Sequence, residues 1–485
     1  MTGVSDTMVS LTESILDNAI RQPTASALRW RGSPVSYAEL AELTRRAHSD
    51  LTAGAGEGPV AVIAKKSPET VALILACSMA GRAVLLPSPD LGRRALDLLV
   101  ERSGCRRVAI VTETGTEWRT VAPSSPSRPS GNVRFLLTTS GSTGTPKIVP
   151  LEVEATERFT RWAATEFGLG PGVNVLNYAP LNFDLCLLDI WATLQVGGCV
   201  TLVESDHAVN PRYLVELFDT CDIHVVQAVP MFFRIVAEVA GTAQYPTVRH
   251  LILTGDHTPR RLRAALPGLF PNAQFHNVYG CTETNDSFIY SFDAATAASR
   301  DVLPLGRPLP GVVVRVMTDG RELDGPGSGE LWVSTLFQTC GYLHEDETRF
   351  VRNASGKTYF RTGDVVSRDR DGELTLMGRT DFQVKVRGVR VNIEDIERVI
   401  SEHEEVAEVG VVALPDPQAG KRLHAVVRRS SDRLTGLGLR QHCAEQLTRA
   451  AIPSVIRIVD TPLPMTSTGK VSRNRIKEEL QTGEI

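Results

Sequence analysis

Residues 138–147 read TTSGSTGTPK and follow the strand expected at 133–137. Hydroxyl side chains and backbone N–H groups can wrap phosphate oxygens. Gly141 and Gly144 let the main chain approach an anion and take unusual dihedrals, and Lys147 adds positive charge. Thr139, Ser140, Gly141, Ser142, Thr143, Gly144 and Lys147 are therefore candidates for holding phosphate. No G-K-[ST] follows a G-x-x-x-x spacing, so this is not a Walker A loop. Polar linkers share the composition. A Thr/Ser/Gly run entering Pro-Lys directly after a buried strand is the less common pattern. A second lysine, Lys470, sits in the Gly-flanked run PMTSTGKVSR at 464–473.

These residues need elements to place them. Residues 60–64 and 83–86 predict strands around an apolar helix at 70–80, an α/β rhythm. The Pro/Ser-rich stretch 121–132 predicts an exposed connection. Further strands are expected at 133–137, 173–178, 199–203, 223–227 and 250–253, with helices at 185–194 and 211–218. From about residue 301 short strands between Gly/Asp turns (312–317, 329–334, 358–361, 374–377) suggest a small β subdomain. A boundary near 378–381 divides the chain into 1–380 and 381–485. The latter is expected to hold strands at 383–386, 406–413 and 423–427, and a helix at 392–401 with Asn392 as N-cap and Asp395 three residues on.

Composition narrows the partners. The 485 residues imply two or three units, and 42% apolar with 22% charged residues suits a globular enzyme. A net charge of −4 builds no basic face for nucleic acid. No apolar run approaches the roughly 20 residues that span a bilayer. The eight cysteines (77, 105, 186, 199, 221, 281, 340, 443) include no C-x-x-C pair, which predicts reduced thiols and a cytoplasmic protein. The ten histidines show no metal-ligand spacing.

The run 138–147, NVYGCTE at 277–283, FRTGD at 360–364, GRTDFQVKVR at 378–387 and the Lys470 segment occur in an order that resembles the adenylate-forming superfamily. That superfamily comprises acyl- and aryl-CoA ligases, luciferases and the adenylation domains of nonribosomal peptide synthesis. The resemblance spans nearly the whole chain. It implies a large N-terminal domain of α/β subdomains plus a small β subdomain, followed by a small mobile α+β C-terminal domain. It implies ATP and Mg²⁺, with the 138–147 loop on the β- and γ-phosphates. Tyr279 would stack on adenine, Thr282 would bond the α-phosphate and Glu283 would help hold Mg²⁺; an aromatic face suits a base and a carboxylate a hard cation. Gly255, Asn277 and Gly280 would join the nucleotide site. Asp364 would accept from both ribose hydroxyls, and Arg379 would contact ribose or phosphate. The family usually has Pro where this chain has Cys281. Lys470 would be the catalytic lysine, a fixed cation where a carboxylate attacks the α-phosphate. Asp381 would be the pivot of a domain rotation that brings the segment from Lys385 to Gly388 toward a pantetheine thiol.

NFDLCLLDI at 182–190 resembles the Phe-Asp pair whose aspartate binds the substrate ammonium in amino-acid adenylation domains. Asp184 matches, although Asp before an apolar helical run is also a common N-cap. By the same pattern Leu185, Leu188, Gln227, Ile252, Thr254, Val278 and Asp286 would line the pocket. Asp286 suits a second amine or hydroxyl, or is a solvated loop acid. The expected substrate is a small or polar amino acid with an α- or β-amine. No Leu-Gly-Gly-x-Ser attachment motif occurs, so the expectation is a free-standing enzyme. It would load a separate phosphopantetheinylated carrier protein, as D-alanine–carrier ligases and starter-unit enzymes of antibiotic assembly do, with a small helper protein as a further candidate partner. The alternatives are an acyl- or aryl-CoA ligase and an inactive binding or regulatory homologue of the same fold.

Overall fold

The computed structural model describes residues 10–485 except 55–56, 88–92, 114, 122–131, 140–146, 345–347, 380–382, 387–388, 417–419, 448–450 and 468. Two sheets share one core in the large N-terminal domain. In the first, Arg107–Thr112, Val60–Ala64, Val84–Leu85 and Val133–Thr139 run parallel, with Gly115–Thr120 and Lys147–Glu152 as antiparallel edges. In the second, Gln274–Cys281, His250–Thr254, Val225–Ala228, Asn174–Asn177, Cys199–Leu202 and Ser26–Trp30 are neighbours in that order, all parallel. Asn285–Phe292 returns antiparallel beside Gln274–Cys281. The inner strands Val60–Ala64, Asn174–Asn177 and Val225–Ala228 are buried along nearly their whole length because both faces are covered, and polar residues such as Asn177 and Gln227 are hydrogen-bonded there.

Helix Pro68–Met79 seals the first sheet. Ser67 caps it by accepting from the Thr70 N–H, and proline opens it where no N–H partner is needed. Nine of its residues are buried, and six of them (Val71, Ala72, Leu73, Ile74, Leu75, Cys77) join Val175, Val200 and Ile252 of the second sheet in one core. A third, antiparallel sheet orders Arg321–Glu322, Val313–Thr318, Gly327–Ser334, Thr358–Arg368 and Phe350–Arg352, with Leu374–Arg379 on Thr358–Arg368. The smaller C-terminal domain has its own core. The three strands Val406–Asp416, Gly420–Arg429 and Val455–Val459 are packed by helices Ile393–Ser401 and Gly436–Gln446, while Arg473–Thr482 lies on the other face.

Two expectations need correction. The segment 185–194 is not one α-helix. It is a π-helical turn, Leu187–Ala192, leading into Thr193–Gln195, and such turns are often found where a helix side chain is re-aimed at a site. Asn392 does cap Ile393–Ser401, but its Oδ1 accepts from the Glu394 N–H at 3.0 Å, while Asp395 pairs with Arg398 instead. The proposed 380/381 boundary, with Asp381 and Gly388, lies outside the described residues.

Candidate active site

The candidate residues gather beyond the carboxyl ends of the parallel strands, where open α/β sheets place ligands. Gln227, Thr254 and the segment Tyr279–Cys281 each end a strand. Thr139 and Lys147 are paired partners on adjacent strands; Ser140, Gly141, Ser142, Thr143 and Gly144 between them lie outside the described residues.

Lys147 sits over the Tyr342 ring, 4.5 Å from its centroid. The Tyr342 hydroxyl donates to Glu283 Oε1 at 2.6 Å. A cation, a phenol and a carboxylate from three distant segments are thus linked. Glu283 is further fixed through its carbonyl, which accepts from the Thr339 N–H at 2.9 Å. Among the described residues no three His, Cys, Asp or Glu side chains group as a metal cage. A lone carboxylate such as Glu283 suits Mg²⁺ shared with nucleotide phosphates, since Mg²⁺ is commonly held by one or two carboxylates plus substrate oxygens.

Asp364 is almost fully buried and both its oxygens are engaged: Oδ1 takes Arg379 Nη1 at 2.6 Å and Oδ2 takes the Tyr279 hydroxyl. The resemblance gives Asp364 to ribose, Tyr279 to adenine and Arg379 to ribose or phosphate; here the three also bind one another. A carboxylate has about four lone-pair positions, so a diol can still share this one. Burial raises the Asp364 pKa, opposed by Arg379, the Tyr279 hydroxyl and the charge of Lys470. Burial and the Asp364 charge push the Tyr279 phenol well up, so it stays a donor. Lys470 is exposed, on a turn closed by Lys470 N–H to Thr466 Oγ1 at 3.2 Å and Thr466 N–H to the Lys470 carbonyl at 2.7 Å.

Gly280 is dictated by packing. A Cβ there would lie 2.3 Å from the Asn285 carbonyl oxygen, at the bulge where Gly280 pairs with Asp286. Gly255 has φ +81°, a left-handed conformation that favours glycine. The Asn277 amide donates to the Pro304 carbonyl at 3.0 Å, a use inside the fold. Lys385 lies in strand Gln383–Val386, opposite Arg390.

Several of the residues expected to line an acid pocket share one sheet face. Gln227 pairs with Ile252, Thr254 with Val278 and Gly280 with Asp286, so these positions share that face. Gln227 Nε2 donates to the Leu185 carbonyl and to Asp189 Oδ1, both at 3.0 Å, which ties the π-helical segment to the face. Leu188, Ile252 and Gln227 expose no more than 1% and so offer no open surface. Asp184, Leu185 and Asp286 are half-buried. Burial first, then the Glu283 charge, raises Asp184 to about 6; the Asp184 and Leu185 N–H groups and the Thr282 hydroxyl oppose this. Burial and then the Asp184 charge raise Asp286 to about 8. Neither carboxylate has a protein cation beside it in any ion pair among the described residues, a costly state for an ionised carboxylate.

Sequence reasoning missed Tyr342 and Asp189. Asp189 is fully buried and accepts from Asn177 Nδ2 and Gln227 Nε2, both at 3.0 Å. Its signal was an acid within the apolar run LCLLDIWA.

A family model described as AMP-binding enzyme matches residues 16–134 and 110–343, and one described as AMP-binding enzyme C-terminal domain matches 395–470. Phenyloxazoline synthase MbtB of Mycolicibacterium paratuberculosis is 30% identical over 98% of this chain, which spans 42% of that protein's length. The D-alanine–D-alanyl carrier protein ligase of Bacillus velezensis is 27% identical over 97% of this chain and 100% of its own. The L-proline–[L-prolyl-carrier protein] ligase of Streptomyces coelicolor is 32% identical over 72% of this chain and 67% of its own. Klebsiella oxytoca NpsA in complex with 3-hydroxyanthranilyl-AMSN has the same fold, with TM-score 0.80, 24% identity and 97% and 99% coverage. So does the Bacillus subtilis o-succinylbenzoate CoA synthetase, with TM-score 0.79, 21% identity and 96% and 97% coverage.

Proposed function

We propose, for a chain that belongs to the AMP-binding enzyme family and is an ATP-dependent ligase of the adenylate-forming type, that its acid substrate is a small or polar amino acid. The amino acid is converted to aminoacyl-AMP with release of pyrophosphate, then passed to the phosphopantetheine thiol of a carrier protein. The observation that carries this reading is Asp184, a half-buried carboxylate next to the Thr282 and Glu283 segment that makes no ion pair with a protein cation among the described residues. An ammonium supplies that cation, whereas a simple fatty acid leaves the charge uncompensated. Two relatives named as amino-acid carrier-protein ligases support the acceptor.

In this reading Asp184 holds the amine and so aims the substrate carboxylate toward the α-phosphate side, where Thr282 stands. Asp364, with Tyr279 and Arg379, receives the ribose, and Thr139 and Lys147 flank the phosphates. Glu283 would hold Mg²⁺, which supplies charge neutralisation between the reacting anions. Lys470 places a cation where carboxylate and phosphate meet. The C-terminal domain then turns to let the thiol in.

The test offers the enzyme, ATP and an amino-acid panel to a phosphopantetheinylated carrier protein and to coenzyme A in parallel. The expected product is aminoacyl thioester on the carrier. Thioester formed only on coenzyme A, and only from acids lacking an amine, would replace this reading with a CoA ligase.

A further inference from the structure

The C-terminal domain touches the large domain at a small number of identifiable points. Helix Pro230–Ala240 supplies two of them from one face, since residues three apart on a helix are neighbours. Met231 abuts Gly469: a Cβ at that glycine would lie 2.7 Å from Met231 Cε. Arg234 donates to the Ala407 carbonyl and pairs with Glu408 Oε1 at 3.1 Å. Arg261, on helix Arg260–Leu269, donates to the Glu404 carbonyl. Gly469 precedes Lys470, whose charge is felt at Asp364. One helix face therefore grips the strand Val406–Asp416 and the lysine turn together.

We infer that Arg234 is a positioning residue, a reversible latch that holds the C-terminal domain in the pose that presents Lys470 to the nucleotide site. The inference rests on the two half-reactions proposed above and adds the device that sets the balance between them. Reversibility follows from how Glu408 is satisfied. It is buried, and within its own domain it also accepts from Arg428 Nη1 and from the Leu463 N–H, each at 2.8 Å. When Arg234 withdraws, the carboxylate keeps both partners, so release does not strand a buried charge. Arg234 is itself about a quarter exposed and regains water at once. A pair built to be permanent would leave a naked charge on one side; this one does not.

The test compares full-length wild type, Arg234→Met and Arg234→Lys. Methionine keeps an apolar stem against the helix face and removes the donors. Three readouts are taken: ATP–pyrophosphate exchange, thioester formation on pantetheine from preformed aminoacyl adenylate of the best substrate, and backbone hydrogen–deuterium exchange. For Arg234→Met we expect kcat for pyrophosphate exchange to fall roughly tenfold, as for loss of one charged hydrogen bond. KM for ATP should change less than twofold, and transfer to pantetheine should be unchanged or faster. Hydrogen exchange should quicken several-fold in 230–240, 404–409 and 464–472, and not in the strands of the large domain's core. Lysine should restore part of the loss, as a point charge replacing a fork. Equal loss in both half-reactions, or no change in either, overturns the latch. The hydrogen-exchange arm needs no substrate, so unchanged exchange refutes the latch even if no amino acid proves active.

Discussion

Replacing Asp184 by asparagine separates its charge from its shape. Asp184 ionises near 6 rather than in the usual carboxylate range, chiefly because it is buried and secondarily because Glu283 is near. It holds an ammonium only when ionised. Substrate affinity should be full above pH 6 and fall as pH drops through it. One unit below, at pH 5, about a tenth of the sites are ionised, so KM for the amino acid should rise roughly tenfold over its value at pH 8. The asparagine amide keeps an acceptor at the same place and loses the charge. Charged hydrogen bonds contribute ~1.5–3 kcal/mol and neutral ones ~0.5–1.5, so the variant should lose ~1–2 kcal/mol, roughly 5- to 30-fold in KM. Its KM should no longer follow pH. Pyrophosphate exchange at saturating ATP, with the amino acid titrated from pH 5 to 8, measures both. If KM for ATP rose as much as KM for the amino acid, or the pH dependence survived in Asp184→Asn, Asp184 would be acting only on the Leu185 N–H as a cap.

Asp286 titrates near 8 against an ordinary value of 3.8, so its contribution to stability is full below about 4 and lost as pH rises through about 8. Asp286→Asn should therefore flatten the decline of Tm with pH; parallel curves by scanning calorimetry would contradict this. Tyr342→Phe removes the hydroxyl from Glu283 and keeps the ring under Lys147, and should lower the exchange rate roughly tenfold with the fold intact by circular dichroism. Lys470→Ala should lower exchange about 10²–10³-fold while thiol transfer from preformed adenylate survives; parallel loss would count against the two-pose account. Gly280→Ala drives a methyl into the Asn285 backbone and should cost ~1–3 kcal/mol, read from chemical denaturation.

The buried strands were legible because their chemistry is local. Residues 60–64 form the strand Val60–Ala64, an apolar run that a covered parallel sheet requires. The helix expected at 70–80 from its apolar run is Pro68–Met79; its Pro68 start, after the Ser67 cap, lies two residues before the expected start. What was not legible is what depends on contacts across the chain. Nothing near Tyr342 in sequence signals that it bridges Lys147 and Glu283, nor that Arg379 and Tyr279 both close on Asp364. The apolar run around 187–192 carries the signature of an ordinary helix; its π-helical turn comes with an acid whose partners, Asn177 and Gln227, lie on two other strands. Buried and half-buried candidates also look alike in sequence, and only burial separates Ile252 from Leu185.

Selection of the acid by its amine is the property that Asp184 is proposed to confer. It is tested most directly by ATP–pyrophosphate exchange on matched acids that differ only in that group, such as alanine against propionate and β-alanine against the same acid. Exchange is expected with at least one amino acid of a broad panel and none above background with its amine-free partner. Exchange supported by fatty or aryl acids alone would contradict it.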